Sequence, residues 1–455
     1  MKEECGVFAI NYYKNDVNII EHTIKGLEKL QHRGQDSAGI SYLDNNKIQT
    51  FKNTGLVKDV FQDHNLCCKT NMTIGHVRYT TSNSPSSFAC IQPIADNHPI
   101  LGAFSIAHNG HIHNLDKTDI SKGYTYESDT DFIKEFIKSS DAETWEDILI
   151  TVMNKIPGIY SLVMLTSDSI YAMRDRFGMR PLQVGMNKLG YFVSSESCAI
   201  SNVDKLLDID AGQVIKIQEN IYNIYTHPPE NLRCIFEYIY FSSKNSTIDF
   251  NKISDIRFTY GKYLAKQDVH FFDKDAIVVG SPNSGILAGK GYAHESKLQY
   301  KQLLIKNPNY NRSFIMPDQE SRQNVCNNKF KIDIETHGDI SGKTVILVDD
   351  SIVRGNTIKS IVNIFNEAGV TNLHIRSASP QLKHPCYFGI DLPTYDELIA
   401  NKIPSYTNFA RFLGVLTVDY LSLKNLLEAM KTGNKTLNYC TGCFDGKYNS
   451  KLLDW

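Results

Sequence analysis

Apolar and polar positions follow two regimes along the chain. In the first, short apolar segments are broken by glycine. Cys5-Gly-Val-Phe-Ala-Ile10 alternates in the manner of a strand, and 157–165 and 174–181 read as strands and turns, with Gly158 and Gly178 interrupting them. In the second, apolar runs become continuous. Residues 276–279 (Ala-Ile-Val-Val) and 345–348 (Val-Ile-Leu-Val) predict strands buried on both faces, as in a parallel sheet. Each enters a glycine-containing loop and then a helix. The second of these helices starts at Thr357 and ends near Gly369, and the spacing of Ile256, Tyr260 and Leu264 predicts an amphipathic helix over 255–267. Strand, loop and helix in that order imply βαβ units with their loops at the carboxyl ends of the strands. His227-Pro-Pro-Glu-Asn is a turn-rich break between the regimes.

A chain of 455 residues exceeds one ordinary domain, which agrees with two regimes. Its 48 lysines and arginines nearly balance 50 acids, a formal charge of -2, so no global field favours nucleic acid or an anionic membrane. No apolar run reaches the ~20 residues that span a bilayer, and the start lacks a signal-like apolar core. A cytoplasmic protein acting on small molecules is expected. Its ten cysteines are then reduced thiols or ligands.

The most informative stretch is Val345-Ile-Leu-Val-Asp-Asp-Ser-Ile-Val-Arg-Gly-Asn-Thr357. A strand-to-helix loop directs backbone N–H groups and the positive helix end outward, and Ser351, Gly355 and Thr357 add hydroxyls and close backbone approach, so an anion can sit there. Asp349 and Asp350 beside that anion make sense if they face sugar hydroxyls or a divalent cation. A ribose phosphate satisfies both halves. The string resembles the phosphoribosyl-pyrophosphate (PRPP) motif of type I phosphoribosyltransferases. The resemblance implies that the acidic pair, with Ser284 nearby, holds ribose hydroxyls and Mg2+, and that Ser351, Arg354, Gly355 and Thr357 hold the 5'-phosphate. It also implies a flap over 306–317 whose Lys306 and Arg312 meet pyrophosphate. Relatives carry aspartate where Asn283 stands and arginine where Cys326 stands, departures at the reaction centre.

Upstream, Cys5 follows a short charged leader whose removal would expose an α-amine, with a pKa near 8 against ~10.4 for lysine, as base for its own thiol. Leu30-Gln-His-Arg-Gly-Gln-Asp-Ser-Ala-Gly39 and Gly75-His-Val-Arg-Tyr-Thr-Thr81 set Arg33 and Arg78 beside glycine, which suggests carboxylate recognition. Asn109 and Gly110 offer an amide and a backbone N–H to an oxyanion. His108, His111 and His113 have the spacing of a conceivable metal site, although no further ligands stand near them. With Glu127-Ser-Asp-Thr-Asp131, these segments resemble the N-terminal-nucleophile (class II) glutamine amidotransferases. By that resemblance Cys5 attacks the glutamine amide, Asn109 and Gly110 form the oxyanion hole, Arg78 binds the α-carboxylate, Asp129 binds the α-ammonium, and Arg33 orders the site.

Cys440-Thr-Gly-Cys443 has metal-ligand spacing, and Cys234 and Cys386 can complete a set of four; chemistry alone does not choose zinc or iron-sulfur. Together the two halves resemble the iron-sulfur branch of the amidophosphoribosyltransferase family. The resemblance implies a leader over 1–4, an αββα N-terminal-nucleophile amidotransferase domain (α+β) over 5–230, and an α/β type I phosphoribosyltransferase domain with a parallel sheet and a cluster-binding tail over 231–455. It further implies Mg2+, a [4Fe-4S] cluster on Cys234, Cys386, Cys440 and Cys443, glutamine and PRPP as substrates, purine nucleotides as inhibitors, and a homotetramer or homodimer. A non-catalytic PRPP-responsive regulator on the same fold is the alternative, motivated by Asn283 and Cys326.

Overall fold

The computed structural model describes the chain except residues 1–4, 17, 63–65, 67–68, 80–86, 114, 118, 157, 307–329, 334–337, 393, 432–436 and 454–455. The first half is built on the strand Gly6–Asp16, which pairs antiparallel with Gly190–Ser194 on one side and Thr70–Arg78 on the other. Its alternation decides the layers. Val7 and Ala9 point to a core shared with Ala107, Val163 and Leu165 of a second sheet, whereas Phe8 and Ile10 point the other way, onto Leu27 of the helix Ile19–Lys29. Among the described residues the first sheet has seven strands and the second six. Helices Asp129–Lys138 and Trp145–Lys155 cover the outer face of the second sheet through Phe132, Ile133, Ile148 and Leu149. The result is the αββα sandwich expected.

The second half carries a parallel sheet in the spatial order Gln299–Tyr300, Ile277–Gly280, Thr344–Asp349, Asn372–Ser377, Thr417–Tyr420. Both of its faces are buried, which is why the sequence there reads as continuous apolar runs. Ile346 and Val348 enter one core and Val345 and Leu347 the other. Each such side chain contributes on the order of 2 kcal/mol by leaving water. The amphipathic helix spans Ile253–Gln267, and the helix after the acidic loop spans Asn356–Glu367. Both lie within two residues of their predicted positions.

The halves share a core. Phe177 and Met179 of the first half pack in one cluster with Cys234, Phe236, Phe388 and Phe444 of the second. The carboxyl-terminal tail returns to this seam, where Asn438–Cys440 pairs parallel with Leu232–Cys234 and sets Cys440 opposite Cys234. The strand Leu232–Cys234 then gives way to a short π-helical turn, Glu237–Phe241.

Candidate active sites and the cysteine centre

Three groups of side chains meet around the seam. In the first, Cys5 stands just ahead of the central strand, its Sγ 3.9 Å from the carbonyl oxygen of Tyr79, so Arg78 at the end of the neighbouring strand lies beside it. Arg78 is buried. The second sheet brings Asn109 and Gly110 to the same end of the sandwich, and the His76 ring, bonded at 3.1 Å to the carbonyl oxygen of His108, ties the two sheets together there. Asn109 is buried, yet its Nδ2 donor has no hydrogen-bond partner. A buried amide donor left unmade costs about 1–3 kcal/mol, so its retention marks a group held ready for something else. At Gly110 no side chain is possible, because a β-carbon would stand 1.9 Å from the carbonyl oxygen of Ile159. Asp129 opens its helix, where the dipole favours its charge. Burial opposes ionisation of Asp129, but His111, 3.7 Å from its Oδ2, together with His108 and the Thr130 N–H, outweighs burial and brings its pKa down to about 2.

Arg33 does grip carboxylates, but they are the protein's own. Its Nε donates to the carbonyl oxygen of Cys5 at 3.0 Å, its Nη1 to Glu196 at 2.6 Å and to Glu237 at 3.0 Å, and its Nη2 to Glu237 at 2.8 Å. All three side chains are buried. Arg33 therefore ties the backbone of the nucleophile to two buried carboxylates. Both glycine-flanked arginines are buried, Arg33 at 1% exposure and Arg78 at 6%.

Among the described residues the histidine triple belongs to no three-ligand group. His108 is buried and bonded through Nδ1 to Thr130, His111 turns to Asp129, and His113 packs its ring on Tyr387. Their spacing of three and then two residues, around a strand that ends at His111, leaves the His111 and His113 rings edge to edge at 6.4 Å while His108 is turned to Thr130.

The second group lines a cavity of about 750 Å³ at the carboxyl ends of the parallel strands. Asp349 is buried and accepts a short hydrogen bond from Ser281; Ser284 donates to Asp350 at 2.6 Å, and Ser351 donates to the other oxygen of Asp350 at 2.9 Å. Burial, and then the neighbouring Asp350 carboxylate, push the Asp349 carboxyl well above its ordinary range. Two adjacent carboxylates under that pressure are relieved by a divalent cation, so the donor set fits magnesium. Ser351, Arg354, Gly355 and Thr357 form the rest of that wall, with Gly355 at φ +82° starting the helix Asn356–Glu367. Arg354 is also tied to Glu397 at 2.7 Å. Lys306 and Asn283 border the cavity; Arg312, Cys326 and the 1–4 leader lie outside the described residues.

The sequence reading missed several lining residues. Lys244 and Arg257 come from the segment after the seam, and His32 and Gln35 come from the amidotransferase half. His32 and Gln35 sit inside a string already singled out, but nothing in its spacing says that one face of it closes a cavity in the other half. Glu196 and Glu237, the partners of Arg33, are 163 and 204 residues away from it.

The third group is Cys234, Cys386, Cys440 and Cys443, which line one pocket with Met179, Arg180, Phe236, Phe388, Ile390 and Tyr448. Burial raises the Cys443 thiol well above its ordinary value, and the other three sulfurs add to the shift. A cationic group bound among four such thiols would favour their thiolates. One tetrahedral zinc, with Zn–S of about 2.3 Å, would draw the sulfurs to roughly 3.8 Å from one another. Four thiols lining one pocket are a donor set that a thiolate-ligated metal or an iron-sulfur cluster takes. The Cys386 loop is fixed by N–H groups of Lys383 and His384 donating to the Cys443 carbonyl oxygen, at 2.9 and 3.1 Å.

Comparison with known proteins agrees with this layout. A glutamine amidotransferase domain model matches residues 85–202. The amidophosphoribosyltransferase of Methanocaldococcus jannaschii is 35% identical, with 98% of each chain covered, and that of Bacillus subtilis is 34% identical over 99% of this chain and 95% of the relative. A solved structure of the glutamine PRPP amidotransferase from B. subtilis, complexed with ADP and GMP, superposes with a TM-score of 0.85 at 33% identity, covering 98% of this chain and 97% of that one.

Proposed function

The chain belongs to the amidophosphoribosyltransferase family, the glutamine-dependent transferases of the first step of purine biosynthesis, and from that premise we propose how its two chambers divide the work. The reaction converts glutamine, PRPP and water into glutamate, pyrophosphate and 5-phosphoribosylamine. In the first chamber Cys5 Sγ attacks the glutamine amide carbon. Once the leader is removed, the α-amine of Cys5 takes the thiol proton and passes it to the departing nitrogen. The oxyanion falls to Asn109 Nδ2 and the Gly110 N–H, the substrate α-carboxylate to Arg78 and its α-ammonium to Asp129. The C–N bond breaks, ammonia leaves, and water then hydrolyses the Cys5 thioester to glutamate. Arg33 keeps the Cys5 backbone in place throughout.

Ammonia passes to the second chamber inside the protein. In water at neutral pH it would be largely protonated and no longer a nucleophile, so exclusion of solvent preserves the reaction. There the loop of Ser351, Arg354, Gly355 and Thr357 binds the 5'-phosphate, and Asp349 and Asp350 meet the ribose hydroxyls. Ammonia attacks ribose C1 as the bond to pyrophosphate breaks, with Lys306 and Arg312 taking the leaving group. Asp349, Asp350 and Ser284 would hold Mg2+, which when bound offsets the charge of the pyrophosphate. Cys234, Cys386, Cys440 and Cys443 would hold a [4Fe-4S] cluster, whose contribution is to cross-link seam and tail. Purine nucleotides act as inhibitors, by analogy with the B. subtilis relative solved with ADP and GMP. The protein works in the cytoplasm as a homodimer or homotetramer.

One observation carries this reading: residues of the amidotransferase half, His32 and Gln35, wall the cavity that the acidic loop opens into, one and two positions from the arginine that holds Cys5. The test is phosphoribosylamine formation on anaerobically purified protein, with glutamine and with ammonia side by side, PRPP and Mg2+ being present in both. Activity with both nitrogen sources is expected. Failure with both would remove the enzyme reading and leave a PRPP-responsive regulator.

A further inference from the structure

Between the two chambers sits a carboxylate that the reaction does not use. Glu196, in the turn after the strand Gly190–Ser194, is fully buried. Its Oε1 meets His32 Nε2 at 2.8 Å and accepts from Arg33 Nη1 at 2.6 Å. Its Oε2 accepts from the Ser243 N–H at 2.8 Å and the Ser246 hydroxyl at 2.6 Å. One oxygen thus serves the amidotransferase half and the other serves the segment after the seam. Cys198 approaches the same carboxylate at 3.8 Å, but both oxygens are already taken by strong donors and a guanidinium stands beside them, so the group is a hydrogen-bond hub and not a cation site.

Both sides of the hub reach the cavity. His32 lines it from one side and Ser242, Ser243 and Lys244 line it from the other. The His32 side chain is 32% exposed, and its second ring nitrogen faces the carbonyl oxygen of Lys29 at 3.1 Å. Both ring nitrogens face oxygen acceptors, an arrangement that a ring carrying hydrogen on each nitrogen fills completely. The next residue, Arg33, holds the Cys5 carbonyl oxygen.

We propose that the His32–Glu196 pair is the positioning element through which occupancy of the cavity by a ribose pyrophosphate is felt at Cys5. This rests on the reading that PRPP fills the cavity. An anion of that kind placed against His32 and Ser243 competes with Glu196 for their donors. Glu196 gives up part of its hold on the cavity wall and turns its charge to Arg33, whose remaining hydrogen bonds set the backbone of the nucleophile. The linkage is reciprocal, so glutamine engaged at Cys5 tightens PRPP binding by the same factor.

The test uses the full-length protein, purified anaerobically, in the parent form and as His32→Gln and Ser246→Ala. Glutamate release from glutamine is measured with and without saturating PRPP and Mg2+, and PRPP binding is followed separately by calorimetry. For the parent, PRPP is expected to raise the rate of glutamate release. In His32→Gln, which takes the ring away from Glu196, the ratio of the two rates is expected to fall roughly ten-fold while PRPP still binds, and in Ser246→Ala it falls less. A merely structural role would change stability and leave that ratio alone. A His32→Gln ratio equal to the parent's, with PRPP bound, overturns the proposal; should that variant not fold, an unchanged ratio in Ser246→Ala does the same. Absence of PRPP binding by the parent would instead overturn the reading of the cavity, and this inference with it.

Discussion

Replacing Asn109 by alanine separates what a residue does for the fold from what it does for the reaction. Asn109 is 2% exposed, and its Nδ2 makes no hydrogen bond in the folded chain. An ordinary buried asparagine loses paired hydrogen bonds when truncated, and the protein loses stability. Here the donor is already unmade, a standing cost of about 1–3 kcal/mol that truncation removes. Against this gain stands the lost packing of a small polar side chain, on the order of 1 kcal/mol. The two nearly cancel, so the melting temperature of Asn109→Ala should stay within a few degrees of the parent's. The reaction is affected differently. If Nδ2 meets the oxyanion of the tetrahedral intermediate, its loss removes roughly 3–4 kcal/mol of transition-state stabilisation, or 10²–10³-fold in kcat for glutamine hydrolysis, with a smaller change in KM. Ammonia-dependent phosphoribosylamine formation should persist, because the second chamber is untouched. The assay is glutamate release alongside ammonia-dependent turnover and a thermal melt. A variant that melts several degrees lower yet hydrolyses glutamine within about three-fold of the parent would show that Asn109 is structural, and would refute the assignment.

Further outcomes follow from the buried charges and the cysteine centre. Arg33→Met leaves Glu196 and Glu237 buried without their guanidinium, and should cost about 3–5 kcal/mol in urea unfolding, part of it recovered by adding Glu237→Gln. His76 is buried and neutral because burial, and then the charge of Arg78, bring its pKa down to about 3. The folded chain then binds fewer protons than the unfolded chain between about pH 3 and 6.5, so stability falls as pH drops through that window, by up to about 5 kcal/mol. His76→Gln should show a shallower loss of urea midpoint between about pH 7 and 5 than the parent; equal slopes would refute this. Cys443→Ser should lower the iron content of anaerobically purified protein and expose the tail after Asn438 to limited proteolysis, because the three-residue ladder to Leu232–Cys234 is too short to hold it alone. Full iron content in that variant, or zinc at one atom per chain in the parent, would remove the cluster assignment.

The sequence by itself determined the kinds of chemistry and the layering of the fold. Continuous apolar runs at 276–279 and 345–348, each followed by a glycine-containing loop and a helix, pointed to a doubly buried parallel sheet, because strands covered on both faces exclude polar residues from both. The string from Asp349 to Thr357 was legible because its chemistry is local: loop, anion site and acidic pair are contiguous. The tertiary structure decided which partners those groups meet. Arg33 was readable as a residue that grips carboxylates, but its partners Glu196 and Glu237 lie 163 and 204 residues along the chain, a distance over which no periodicity or spacing carries information. Folding likewise turned His108 to Thr130 and His111 to Asp129, where spacing had allowed the three histidines a shared ion. His32, unremarkable in sequence, became part of the wall between two chambers. Contacts along one element follow from backbone geometry and survive in the sequence as pattern, whereas contacts between elements depend on how whole layers pack, and that is fixed only when the chain has closed on itself.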